Sequence, residues 1–231
     1  MKSAPTLQRW LDEVIAASPQ TLGLAMLQTD PHARRLDRAT QIAAVDAALA
    51  DGAATAQDLQ ARFAGLAPPL ELARALGVPV EMIDDDPQVG SLWRFAEYRE
   101  RPTRILLYRR GLAPFERALS GGLARRLLGT ATLQDVFVAH ELYHHAEAIR
   151  PDTPMARRYQ PTLFRIGGWH WRTGIAALSE IAAGAFAQTL LDLPCHPRVL
   201  DLVARDAIAS DVEAAGSTIA PADALSGLLQ R

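Results

Sequence analysis

Cysteine occurs once in 231 residues, at Cys195, so no disulfide can close within the chain, and neither a disulfide-stapled secreted scaffold nor a multi-cysteine zinc module is open to it. A reducing compartment is the expectation that follows. Lysine is confined to Lys2, arginine supplies every other basic side chain, and aromatic residues make up only 6%. An excess of charge of either sign is also missing: 24 basic against 26 acidic residues leave a net charge of −2, too little for a long-range field toward nucleic acid or anionic lipid. Apolar runs long enough for a membrane span, about 18 residues, are absent. The first eleven residues carry Lys2 and Arg9 and lack the apolar core of an export signal. No membrane partner is expected, a nucleic-acid partner is not favoured, and the cytoplasm is the expected location. What is present is 49% hydrophobic and 22% charged residues, the profile of a globular chain, at a length that suits one core with an appended helical segment.

Periodicity divides the chain coarsely. Leu7, Trp10, Leu11, Val14 and Ile15 recur at helical spacing. Further helices are expected over Thr21–Gln28, from Ala33 to a stop at Asp51-Gly52, over Thr55–Phe63, and over Leu70–Leu76 before Gly77. Val78–Ile83, Leu92–Tyr98 and Arg104–Arg109 read as three strands of a small sheet. Helices resume over Pro114–Leu119, Leu123–Leu128, Thr132–Ile149, Thr173–Leu191 and Pro197–Ala209, with a loop over Arg150–Gly168 and a tail from Ser210. The fold class expected is α+β and mainly helical.

Inside Thr132–Ile149 lies His140-Glu141-Leu142-Tyr143-His144. Residues four apart share one helical face, so both imidazoles can reach one metal ion while Glu141 faces its open side. Such an arrangement is that of a zinc hydrolase, with His140 and His144 as ligands and Glu141 as base. A catalytic zinc needs a third protein ligand and one position for water. Glu180 is the only acid between Thr153 and Leu191, on a helix of small and apolar residues. A lone carboxylate there is either a ligand or solvent-facing, and the apolar neighbours Leu178 and Ile181 favour the ligand.

These residues resemble the ImmA/IrrE zinc metallopeptidases, whose downstream helix reads ExxANxFAxxLL and closes near a proline. Glu180, Ala183, Phe186, Ala187, Leu190, Leu191 and Pro194 follow that pattern; Gly184 stands where the family has Asn, and one extra residue precedes the proline. Leu72–Val80 is similar to the family's entry from helix to strand, and Arg104–Tyr108 to the strand before its active-site helices. The resemblance covers about residues 55–197. It implies a gluzincin-like metallopeptidase domain over 55–209, behind a helical extension over 1–54 and before a tail over 210–231. It also implies zinc, a cytoplasmic setting, and a narrow and regulatory protein or peptide substrate.

Other residues carry weaker cases. His170, between Trp169 and Trp171 and after Gly167-Gly168, can donate to the oxyanion of a tetrahedral intermediate, a role for which Tyr159 competes. His145 lies about 100° around the helix from His144, which favours packing over ligation. Cys195-His196 are neighbours in sequence, which rarely share an ion. Arg157 and Arg158, in a stretch rich in arginine, are candidate contacts for an acidic substrate segment or, equally, partners of acids elsewhere on the domain. Two other readings stay open: a zinc-stabilised regulatory or binding protein with little turnover, and a DNA-binding regulator using the N-terminal helices.

Overall fold

A computed structural model describes residues 4–63, 68–90, 92–119 and 122–203. The first helices are α1 (Ala4–Ile15), α2 (Pro19–Thr29) and α3 (Arg38–Arg62). Ser18 caps α2 by accepting the Thr21 N–H, and Asp37 caps α3 by accepting that of Thr40. The stop expected at Asp51-Gly52 is absent: α3 runs through it, and so through the expected 54/55 boundary. Packing supplies the reason. A Cβ on Gly52 would fall on the Ala182 carbonyl oxygen of α9 (Ala176–Leu191), so the glycine is where the two helices touch backbone to backbone. Small residues Ala182, Ala183 and Ala187 on the other side are fully buried, and α3 against α9 is the most extensive helix pairing among the described residues.

Next come α4 (Pro69–Ala75) and a three-stranded sheet of β1 (Val80–Ile83), β4 (Ala96–Glu100) and β5 (Thr103–Tyr108), ordered β1-β5-β4. β1 runs parallel and β4 antiparallel to β5, with Val80 opposite Ile105 and Tyr98 opposite Ile105 on its other side. The strand expected over Leu92–Tyr98 divides because its halves pair differently: β3 (Leu92–Trp93) joins β2 (Gln88–Val89), and β4 joins β5. Arg94, at the break, lies over the Tyr108 ring at 4.5 Å and reaches Glu97 at 3.2 Å.

Helices α5 (Arg109–Ala118) and α6 (Gly122–Leu128) lead to α7 (Leu133–Ile149). A capping box starts α7: Thr132 Oγ1 accepts the Asp135 N–H and Asp135 accepts the Thr132 N–H. Its buried residues, Leu133, Val136, Val138, Ala139, Glu141, Leu142, Tyr143, His145 and Ala146, lie all around the helix, which packs against β4 and β5, α4 and α9. The chain is thus α+β, with α7 between the sheet and α9.

Residues 150–168, expected as loop, contain α8 (Met155–Arg158) and the first strand of a hairpin, β6 (Thr162–Ile166) with β7 (Trp169–Arg172). Ile166 pairs with Trp169, so Gly167-Gly168 is a two-residue turn, with Gly167 at φ +58° where a glycine fits without strain. Asp192 ends α9 in the left-handed region. The last expected helix is present over 198–203; its remainder and the tail lie outside the described residues.

Candidate metal centre

Two elements carry the three expected ligands. The α7 spacing sets His140 and His144 one turn apart, and α9, held close by its small residues, presents Glu180 to both. His140 Nε2 lies 3.1 Å from Glu180 Oε2, His144 Nε2 lies 3.4 Å from Glu180 Oε1, and the two Nε2 atoms are 3.3 Å apart. Ligands bound tetrahedrally at 2.0–2.1 Å are separated by about 3.3 Å. The donor set and its spacing therefore fit one divalent ion. The imidazoles are largely covered, whereas the Glu180 side chain is half exposed.

Electrostatics couples the group. Burial opposes the charged form of His140, but the hydrogen bond and charge of Glu180 lift it to about 9. Burial would raise Glu180, yet the hydrogen bond from His140 and the charges of both histidines hold it at about 2.

Glu141 is buried beside them and accepts the Tyr98 backbone N–H at 2.7 Å. That amide belongs to β4, an edge of the sheet, so the carboxylate is held between α7 and the sheet. Burial raises its pKa against the pull of His140 and His144. Two cavities meet here. One, of about 710 Å³, is lined by Glu97, Tyr98, Glu100, Glu147 and Arg157 along with the ligands; the other, of about 230 Å³, by Met26, Trp93, Phe95, Phe137 and Leu200. Both reach His140, Glu141 and Glu180.

The remaining candidates fall elsewhere. His170 lies on β7 opposite Arg165, with its side chain exposed, and lines neither cavity, so the geometry lends the oxyanion role no support. Tyr159 donates to the Ala43 carbonyl of α3 at 3.4 Å. His145 is buried, with Nδ1 at 3.1 Å from the Tyr98 hydroxyl. Arg157 lines the larger cavity, whereas Arg158 bonds Asp51 at 2.8 Å. The buried Cys195 thiol donates to the Leu127 carbonyl, and burial raises its pKa to about 11. His196 is also buried; its Nδ1 accepts the Arg198 N–H, and its ring fills the space where a Cβ on Gly184 would sit. Burial lowers this histidine to about 4.

Sequence reasoning missed the polar cluster behind the ligands. Asp51 accepts from Tyr143 at 2.8 Å, Arg150 at 3.0 Å and Arg158 at 2.8 Å. Glu147 accepts the Met155 N–H at 2.7 Å and the Ser179 hydroxyl at 3.0 Å, joining α7 to α8 and α9. These partners lie far apart along the chain, and no local pattern marks them. No helix among the described residues is long and apolar enough to cross a membrane. Comparison with protein families, with curated proteins and with solved structures finds no match.

Proposed function

We propose that this chain is a zinc-dependent, gluzincin-like metallopeptidase of the ImmA/IrrE kind, which cuts a peptide bond in a narrow protein substrate in the cytoplasm. The observation that carries the reading is the convergence of two imidazole Nε2 atoms 3.3 Å apart on the two oxygens of one carboxylate, at 3.1 and 3.4 Å, with a second, buried carboxylate next to them. His140, His144 and Glu180 would hold the ion, which when bound supplies an acidified water and polarises the scissile carbonyl. Glu141 takes the proton of the attacking water and delivers it to the leaving amine. Its burial favours that task, because a carboxylate in a poorly hydrated site holds a proton more readily than one in water. The β4 edge aligns the substrate backbone beside the base. Arg157 contributes to binding from the wall of the larger cavity.

Intact Glu141 favours this reading over a purely structural ion site, which gains nothing from a buried base. The test is elemental analysis with activity measured in parallel. The purified chain should hold or take up about one zinc ion. Glu141→Gln should keep the ion while hydrolysis of a peptide library, read by mass spectrometry, falls by about a hundredfold or more. Glu180→Ala should lose metal affinity first. A chain that neither contains nor takes up zinc ends the proposal.

A further inference from the structure

Four of the seven large hydrophobic side chains exposed among the described residues fall within residues 164–171. They are Phe164, Ile166, Trp169 and Trp171, between 51% and 85% exposed, with Trp169 beside the turn the most open. Register places all four together. Phe164 pairs with Trp171 and Ile166 with Trp169, and residues two apart share a face, so one side of the β6–β7 hairpin is entirely apolar. The Phe164 and Trp171 rings are nearly parallel, 9° apart in plane, with centroids separated by 5.8 Å. Arg165 pairs with His170 on the opposite side, where alternation also turns Arg172.

A two-stranded hairpin with an open apolar face is marginal in water, and a contiguous patch of this kind marks an interaction surface. Its base is fixed: Arg35 Nη1 donates to the Leu163 carbonyl at 3.0 Å, the Thr173 N–H to Pro161, and the Ile175 N–H to Ala156. The position of the charges selects the partner. A bilayer of anionic lipid or an acidic polypeptide would be recognised by cations on the same face as the rings, and the cations lie on the other side. A second copy of the same face brings no like charges together, and the net charge of −2 sets no long-range barrier. Covering four side chains of this size removes on the order of 500 Å² per copy, or about 1,000 Å² for a pair, which reaches the lower bound of a specific interface.

We propose that two copies of this chain associate about a two-fold axis through the apolar face of the β6–β7 hairpin. The surface is separate from the metal centre, and its test needs neither metal nor activity. Sedimentation velocity of the full chain at micromolar concentration should show a species of dimer mass. Trp169→Ser with Trp171→Ser should raise the dimer dissociation constant by about a hundredfold or more, with the far-UV circular dichroism unchanged. Arg165→Glu, on the opposite face, should leave the dimer intact. Ile166→Asp, which buries a charge in the same face of each copy, should dissociate the dimer likewise; this result also decides the matter if the double tryptophan variant fails to fold. A chain that stays monomeric throughout, including one that sediments with phosphatidylglycerol vesicles as a monomer, overturns the proposal. So does a dimer that survives the tryptophan changes or Ile166→Asp in the folded protein, or one lost on Arg165→Glu.

Discussion

Asp51 is the residue on which the support of the site converges. Its carboxylate meets the Tyr143 hydroxyl from the ligand-bearing helix and two guanidinium groups from the segment that follows that helix. Burial would raise its pKa, but the hydrogen bonds from Tyr143 and Arg150 and the charges of Arg150 and Arg158 hold it below the usual carboxylate value. A group whose folded-state pKa is depressed stabilises the fold above its unfolded pKa, and that contribution is lost as pH falls through the folded value. Asp51→Asn should therefore cost about 2–4 kcal/mol at neutral pH, with some of the effect screened because both arginines are partly exposed. The gap from wild type should begin to narrow once pH falls below the unfolded carboxylate value of about 4, and close only as pH falls through the lower folded value, where native Asp51 also becomes neutral; denaturant titrations across pH measure this. The two adjacent arginines separate likewise. Arg158→Glu should lower stability through Asp51, whereas Arg157→Glu should leave stability unchanged and weaken substrate cleavage.

Individual elements obey local rules until packing overrides them. The spacing of the candidate ligands His140 and His144 on α7 was legible because it is contained within about one helical turn, with an apolar frame and a capping box fixed by nearby residues. Glu180 was legible as a lone acid on an apolar helix. Asp51-Gly52 misled because the pair is a common helix stop, while here the glycine serves a contact with α9, distant in sequence. Gly167-Gly168 misled in the other direction: read as the end of a loop, it is a hairpin turn, and the alternation on both sides was the overlooked strand signal. Gly52→Ala tests the first point. Helix propensity alone gains about 1 kcal/mol from the change. The new methyl group would strike the Ala182 carbonyl, a backbone atom that cannot swing away, so the variant should instead be destabilised by about 2 kcal/mol or more in chemical denaturation.

Across the whole molecule, the candidate ligands join α7, which carries the sheet, to α9, which carries α3. An ion bound there would tie these layers together, and any ligand that binds only the folded state stabilises it. At a thousandfold excess over Kd the gain is about 4 kcal/mol, or about 8–16 °C in Tm for a chain of this size. Chelator should lower the Tm of the wild-type protein and leave that of Glu180→Ala unchanged, as read by scanning calorimetry with and without added zinc.

The hydrogen bond from the Tyr98 amide to Glu141 imposes an order of events on the proposed reaction. A peptide that lengthened the sheet along β4 would compete for the same N–H, so its carbonyl would displace the carboxylate from this backbone donor. Deprived of that donor, Glu141 gains affinity for a proton at the moment when a substrate lies alongside. Before then the base is muted, and water at the site meets a carboxylate already engaged. In the proposed reaction the edge strand would thus act as an interlock, arming hydrolysis only when a chain is in register to be cut.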